Sequence, residues 1–149
     1  IRHALDNPSF TTDIIVGFPG ETDDEFSETL ETVREIGFSK IHMFPYSARP
    51  GTPAADMDNQ LPKQLKKQRG RELAEVEKEL RRDYFTSLLG SELEVLVEAQ
   101  KKDSPDQLVG TACRYAPIQF EGNVSLIGSL VHVIAQRVED DRIIASLVE

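Results

Sequence analysis

The sequence predicts two kinds of structure in one chain: an α/β segment with parallel strands, followed by an all-β segment that resembles a small barrel, with a long helix joining them. Three patterns indicate this fold class. Residues 12–46 alternate strand, helix and strand, residues 61–90 carry one long amphipathic pattern, and short apolar runs separated by turn clusters follow. Strand–helix–strand units favour parallel pairing, and short strands at regular spacing are typical of barrels and sandwiches. We place the segments at residues 1–60, 61–90 and 91–149.

The first strand is predicted over residues 12–18, because Ile14, Ile15 and Val16 form a nearly continuous apolar run. Such a run is typical of a strand that is buried on both faces of a parallel sheet. Four residues then end the strand abruptly: Gly17, Phe18, Pro19 and Gly20. The glycines allow a sharp turn and a close approach by a ligand, and Phe18 offers an apolar face to a flat ring.

A helix is predicted directly after this first corner. Thr22 fits the N-cap position, and Glu25, three residues later, completes a capping box. Apolar residues recur with helical spacing at Phe26, Leu30 and Val33. Gly37 is in the position of a C-terminal cap.

A second strand is predicted over residues 40–46, and it ends in a second corner that contains Phe44, Pro45, Tyr46 and Ser47. Arg49 follows, with a planar cation suited to carboxylate or phosphate recognition. Ligands of parallel α/β structures bind at the carboxyl ends of the strands. We therefore expect the two corners to lie side by side and to form part of one ligand site. A pair of ordinary tight turns is the alternative.

The long helix is predicted from Pro62 to about Leu89, with eight basic and four acidic residues between positions 63 and 82. A solvated charged face is the simplest interpretation of this local surplus. Beyond Gly90, strands are predicted over residues 93–99, 108–115, 118–120, 130–135 and 142–148. These strands predict a small barrel or sandwich.

Composition excludes several classes of protein. Hydrophobic residues make up 39% and charged residues 29% of the chain, and no apolar run approaches the roughly 18–20 residues of a membrane span. The net charge of −9 argues against simple non-specific nucleic-acid binding. The single cysteine, Cys113, excludes an internal disulfide and any multi-cysteine metal site, and we interpret it as a small, partly buried core thiol. A reducing cytoplasm is the expected compartment.

The segments TTDIIVGFPGET and KIHMFPYSARPGTPAA resemble the C-terminal part of the radical S-adenosylmethionine barrel, a TIM-like fold, in tRNA methylthiotransferases of the MiaB type. Residues 42–47 are more similar to the branch that acts on threonylcarbamoyladenosine than to the branch that acts on isopentenyladenosine. The segments LVGTACRYAPIQFEG and IGSLVHVIA resemble the TRAM domain, a small RNA-binding, OB-like β-barrel.

The resemblance implies an enzyme that adds a methylthio group to C2 of a modified adenosine next to the tRNA anticodon. It also implies S-adenosylmethionine and two 4Fe–4S clusters as cofactors. One cluster is held by a C-x3-C-x2-C motif, which does not occur here. We therefore expect no catalytic or metal-ligating residue in this chain and no activity from the chain alone, which begins without Met and is interpreted as a fragment. The sulfur donor is not identified by the sequence.

By position, the resemblance places two sets of residues at the cofactor. The expected S-adenosylmethionine contacts are Gly17, Phe18, Pro19, Gly20, Phe44, Pro45, Tyr46 and Ser47. Phe18 and Pro45 are the candidates for apolar contact with the adenosyl group. Arg49 is expected to meet either the target nucleotide or the methionyl carboxylate, and His42 is interpreted as structural rather than catalytic.

The expected RNA contacts combine cations with an aromatic ring, because RNA bases stack on aromatic side chains while cations meet the backbone. They are Arg49, Lys66, Lys67, Arg69, Arg114 and Tyr115. The hypothesis is that the basic helix and the loop at residues 114–115 bind one tRNA together. Against it, residues 91–149 hold ten acidic and five basic residues, so Tyr115 has a second interpretation as an ordinary barrel residue.

Two other functions are compatible with these patterns. One is a methylthiotransferase of the same superfamily that modifies a ribosomal protein, whose last domain binds protein. The other is an RNA-binding module without catalysis. In all three cases we expect neither DNA nor a membrane as a partner.

Overall fold

The computed structural model of the protein describes residues 4–102 and 104–148. The chain divides into two compact units. Residues 10–81 form the α/β unit, and the described residues before 10 and after 81 form the barrel unit. Among the described residues, no helix combines the length and the apolar character needed to cross a membrane.

The α/β unit contains two strands and a helix in the predicted order. They are β1 (Thr11–Val16), α1 (Asp23–Ile36) and β2 (Lys40–Pro45). The strands pair in parallel, from Thr11 opposite Lys40 to Val16 opposite Pro45. A short 3-10 helix (Pro53–Asp56) and α2 (Lys63–Ser87) follow, and α2 contributes residues to both units. The two strands form an open sheet, so the described residues do not form the expected partial TIM-like barrel.

The ends of α1 confirm the capping predicted from the sequence. The Thr22 hydroxyl accepts a hydrogen bond from the Glu25 amide at 3.2 Å, and Glu25 Oε2 accepts one from the Thr22 amide at 2.8 Å. Gly37 has a φ of 66° and closes the last turn by donating its amide hydrogen to Val33 O. The hydrogen bonds from Thr22 lower the pKa of Glu25 below its ordinary value of 4.5.

Thr22→Ala is expected to lower the free energy of unfolding of the α/β unit by about 1 kcal/mol at neutral pH. Because the pKa of Glu25 is depressed in the folded state, its stabilising contribution is complete above pH 4.5 and is lost as the pH falls through the folded-state pKa. The loss caused by the substitution should therefore shrink in acid, as urea unfolding at several pH values would measure. Thr29→Ala, inside the same helix, is the control and should cause no loss. An equal loss at every pH would contradict the assignment to Glu25.

Both helices pack on one face of the two-stranded sheet. The core of the α/β unit is formed by Val16, Phe26, Val33, Ile41, Leu73 and Val76. Side chains alternate along a strand, so the neighbouring residues point to the opposite face, where Ile15 is 56% and Phe44 is 51% exposed. The expectation that β1 is buried on both faces is therefore wrong for these residues.

The barrel unit contains a closed barrel, which confirms the all-β prediction for this part of the chain. Its strands are β3 (Glu92–Gln100), β4 (Gln107–Ala112), β5 (Pro117–Glu121), β6 (Leu130–Glu139) and β7 (Arg142–Leu147). They are joined in the order β3-β4-β5-β7-β6, and the pairing of β5 with β7 is parallel while the other pairs are antiparallel. A short 3-10 helix (Val124–Leu126) precedes β6.

The barrel core consists of alternate strand residues that point inward. Fully buried members include Leu93, Val95, Leu108, Ile118, Phe120, Val133 and Ile143. Cys113 lies just beyond the end of β4 and is exposed. The interpretation of Cys113 as a partly buried core thiol is therefore wrong.

Candidate functional site

The two corners lie side by side at the carboxyl ends of β1 and β2. The Tyr46 amide donates a hydrogen bond to Val16 O at 2.8 Å, which continues the pairing of the strands. The rings of Phe18 and Tyr46 meet edge to face, with centroids 5.2 Å apart. The two corners are therefore neighbours, as expected for the ends of adjacent parallel strands, although the cavity described below is lined by the second corner and not by the first.

The conformation of the first corner is stabilised by hydrogen bonds from its backbone amides to a neighbouring side chain. The amides of Gly17 and Phe18 donate to Glu21 Oε2 at 2.7 and 3.2 Å. A side chain at position 17 would place its Cβ 2.5 Å from Lys66 Cγ, and Gly17 has a φ of 71°. Gly17 is thus required by the approach of α2, which is a reason different from the close approach of a ligand expected from the sequence. Pro19 is buried in the same corner, while Phe18 and Gly20 are exposed.

Arg69, a residue of α2, forms hydrogen bonds to residues that directly follow this corner. Its guanidinium donates to Glu21 Oε1 at 2.7 Å, to the Glu21 carbonyl at 3.0 Å and to Asp23 Oδ1 at 2.6 Å. Only 2% of Arg69 is exposed, and its Nε is buried without a hydrogen-bond partner in the described part of the chain. The expectation that Arg69 belongs to a solvated, RNA-facing surface is therefore wrong, because its guanidinium forms ion pairs within the α/β unit.

The sheet face opposite the helices is exposed and carries both charged and apolar side chains next to the corners. Asp13 lies opposite His42 in the strand register, and Ile15 lies opposite Phe44. All of these residues are exposed. We call this surface the open sheet face. Sequence reasoning missed Asp13 and Ile15, although the alternation of Asp13 with Ile14 was a signal that one face of the strand is not apolar.

A cavity of about 810 Å³ lies on the other side of β2, between the second corner and the start of α2. We call it the cationic cavity. It is lined by Met43, Pro45, Tyr46, Ser47, Leu61, Lys63, Lys66, Lys67, Gly70, Arg71 and Ala74. Three residues expected at the cofactor and two expected at RNA therefore line one cavity, whereas Phe44 points to the open sheet face.

The cations of this cavity differ in their roles. Lys66 Nζ donates to the Tyr46 carbonyl at 3.2 Å and lies 4.8 Å from the centre of the Tyr46 ring, so this ammonium is bound to the second corner. Lys63, Lys67 and Arg71 are exposed and recur every four residues along α2. We call these three the cation row; it also borders a second, smaller groove of about 600 Å³. Arg49 is exposed in the loop after β2 and is not among the residues that line the cavity.

In the barrel unit, Arg114 is held by the segment that precedes β1. Its guanidinium donates to Asp6 Oδ2 and to the Asp6 carbonyl, both at 2.8 Å, and to the Asn7 carbonyl at 3.1 Å. The hydrogen bond to Asp6 raises the pKa of Arg114 above its ordinary value. The Tyr84 hydroxyl donates to the same Asn7 carbonyl at 3.1 Å. Arg114 therefore fastens this segment to the barrel unit.

Tyr115, beside Arg114, is presented to solvent. It is 79% exposed and has a φ of 58°, a left-handed conformation that is uncommon for a bulky residue. Its amide donates to Ala112 O at 2.8 Å, and the Ala112 amide donates to Ala116 O at 2.9 Å, so the turn holds this conformation. The interpretation of Tyr115 as an ordinary barrel residue does not fit this exposure.

Comparison with known proteins agrees with the division of the chain. Residues 86–148 match the family model of the TRAM domain, which confirms the resemblance of the barrel segment. The chain is 43% identical over 136 residues to the tRNA-2-methylthio-N(6)-dimethylallyladenosine synthase of Desulfitobacterium hafniense (strain Y51), covering 91% of this chain and 30% of that protein.

Two further relatives carry the same name. The Bacillus licheniformis protein is 44% identical over 133 residues, which cover 89% of this chain and 26% of the relative. The Bacillus subtilis (strain 168) protein is 42% identical over 137 residues, which cover 92% of this chain and 27% of the relative. The chain therefore spans less than a third of the length of these relatives. The resemblance to tRNA methylthiotransferases is confirmed at the level of homology.

Proposed function

We propose that this chain is the C-terminal part of a radical S-adenosylmethionine tRNA methylthiotransferase. In this role it contributes one side of the cofactor site and surfaces that bind tRNA. The proposal depends mainly on one observation: identity above 40% to synthases of this kind extends over about nine-tenths of the chain, through the α/β unit as well as the barrel. A module that only binds RNA would need similarity in the barrel alone.

We propose that the target is an adenosine next to the anticodon whose N6 carries a dimethylallyl group, and that the methylthio group is added at C2. The three relatives described above are all named for the dimethylallyl nucleoside. The preference for the threonylcarbamoyl branch, which was based on residues 42–47, has no support from these relatives. Those residues are divided between the open sheet face and the cationic cavity, so their similarity does not by itself define a nucleoside pocket.

The open sheet face and the first corner fit one end of S-adenosylmethionine. This cofactor would supply the radical and the methyl group of the reaction. Ile15, Phe44 and Phe18 offer exposed apolar surface to an adenosyl group, and Asp13 adds an exposed carboxylate that suits its cationic sulfonium and ammonium groups. The iron–sulfur clusters do not fit this chain, because each needs several thiolates and Cys113 is its single cysteine. We propose that the clusters are held by other parts of the enzyme.

The RNA-binding role is supported by Tyr115 and the cation row. An exposed ring held in a strained backbone conformation is a feature that clusters at ligand-binding sites, and an aromatic face stacks on any base. Lys63, Lys67 and Arg71 supply cations for the phosphate backbone. We propose a cytoplasmic enzyme with tRNA as its partner, and we assign neither DNA nor a membrane to it.

A chimera tests the proposed function. This chain would replace the aligned segment of the Bacillus subtilis relative, and the chimera would be expressed in a strain that lacks this relative. Mass analysis of tRNA nucleosides is expected to show methylthiolated adenosine, whereas the relative without the segment should give none. A soluble chimera that holds its clusters and leaves the tRNA unmodified would contradict the proposal.

Binding by the chain alone separates the remaining alternatives. The purified chain is expected to bind tRNA in preference to purified ribosomal proteins, and to show no methylthiotransferase activity by itself. A preference for ribosomal proteins would favour the enzyme that modifies a protein. Binding of tRNA together with an inactive chimera would favour a module without a catalytic role.

A further inference from the structure

We propose that the cationic cavity is a nucleotide subsite for the bound RNA. One or more backbone phosphates would lie on the cation row, and the base or ribose of one nucleotide would lie on the apolar floor. This inference rests on the proposed function, because it assigns a part of the tRNA to one surface of the α/β unit.

Charge distinguishes the occupant of this cavity. Four of its lining residues are cationic, and none of the described residues that line it is acidic. S-adenosylmethionine carries a sulfonium and an ammonium group against one carboxylate, so its net positive charge is repelled here. A phosphodiester is attracted, and its affinity gains from the release of counterions. The cavity is therefore assigned to RNA, although Pro45, Tyr46 and Ser47 line it.

The spacing of the cation row suits a polynucleotide backbone. Residues four apart on a helix are separated by about 6 Å along its axis and lie on one face. Lys63, Lys67 and Arg71 thus present charges at intervals comparable to those between neighbouring phosphates of an extended strand. A single free anion would occupy only one of these positions, whereas an RNA strand can occupy all three.

The floor of the cavity suits the rest of a nucleotide. Met43, Leu61 and Ala74 supply apolar surface, and the volume falls within the range of about 300–1,000 Å³ that is usual for ligand pockets. Lys66 is already bound to Tyr46, so it forms a fixed side of the cavity.

Charge reversal tests the cation row. The full chain would be titrated with a labelled anticodon stem-loop RNA at several salt concentrations, comparing the variant Lys67→Glu/Arg71→Glu with the matched variant Lys78→Glu/Arg82→Glu. Lys78 and Arg82 are exposed on the same helix and do not line the cavity. The cavity variant is expected to bind about tenfold more weakly or worse and to lower the salt slope by about 2, one per lost phosphate contact. The matched variant should lose less than about threefold, because its charges act through solvent.

A second variant tests the floor without changing charge. Ala74→Trp fills the cavity from the exposed side of α2 and is expected to weaken binding while leaving the salt slope unchanged. Thermal unfolding would establish that each variant is folded. Unaltered affinity of Ala74→Trp would overturn the subsite, because it would show that no nucleotide occupies the floor.

The other outcomes are equally decisive. Equal losses in the two charge-reversal variants would overturn the subsite and leave the proposed function intact, since the whole helix would then attract RNA. If adenosine monophosphate alone bound as tightly as the stem-loop RNA, the occupant of the cavity would be a free nucleotide, and the proposal would be overturned. A wild-type chain that binds no RNA would count against the proposed function as well, and the chimera would show this independently.

Discussion

Gly110→Ala is expected to destabilise the barrel unit by about 3 kcal/mol or more, the upper range for overpacking a core. Gly110 lies in β4 opposite Val97 of β3, beside a register shift in β3 between Val97 and Ala99. A Cβ at this position would overlap the backbone carbonyl of Leu96 and would lie 2.9 Å from Val95 Cγ1. Because the obstacle is backbone in a paired strand, no side-chain rotation can relieve the overlap.

Hydrogen exchange of the barrel amides in the full chain would measure this loss of stability separately from the α/β unit. Gly128→Ala is the matched control, because its surroundings are open and only its φ of 85° opposes a side chain. This control is expected to cost about 1 kcal/mol, the lower end of the range for a residue with a Cβ in the left-handed region. Equal protection in the Gly110→Ala variant and the wild type would show that β3 and β4 are farther apart than the structure has them.

Arg69→Met is expected to lower the free energy of unfolding of the α/β unit by about 3 kcal/mol, the lower end of the range for breaking a buried ion pair. The substitution keeps an apolar stem but removes the partner of Glu21, whose side chain is only 14% exposed. The carboxylate would retain the amides of Gly17 and Phe18 without a compensating cation.

Two further variants separate the buried pair from the exposed one. Asp23→Ala removes the other partner of Arg69, which is 93% exposed, and should cost less than about 1 kcal/mol. Adding Glu21→Gln to Arg69→Met should recover part of the loss, because the uncompensated charge is then absent. Urea unfolding would measure all three variants. A double variant less stable than Arg69→Met would argue against burial of an unpaired charge as the cause.

Local signals in the sequence were sufficient to predict most of the elements. The capping box of Thr22 and Glu25 fixed the start of α1, and alternation of apolar residues located the barrel strands to within a few residues. These features depend on neighbours within four residues along the chain, or on one repeating face. The parallel pairing of β1 with β2 followed from the same logic, because a crossover helix restricts the possible connections.

Long-range contacts explain what could not be predicted. Arg69 lies four residues before Leu73 in the apolar stripe of α2, so its position on the core face was visible, but its partners are 46 and 48 residues away. The cationic cavity likewise requires residues of β2 and α2 to meet. The open sheet face could not be predicted from the apolar composition of β1. An apolar strand sequence does not show whether other elements cover one face of its sheet or both.

The position of β7 in the barrel has a consequence for biosynthesis. This strand is inserted between β5 and β6, so the ring cannot close before the ribosome has made β7 and released it. Until then, the edges of β5 and β6 that pair with β7 in the barrel present unpaired amides and carbonyls to other chains. A nonsense mutation just before β7 should therefore yield a polypeptide that aggregates in the cell, because its barrel cannot close.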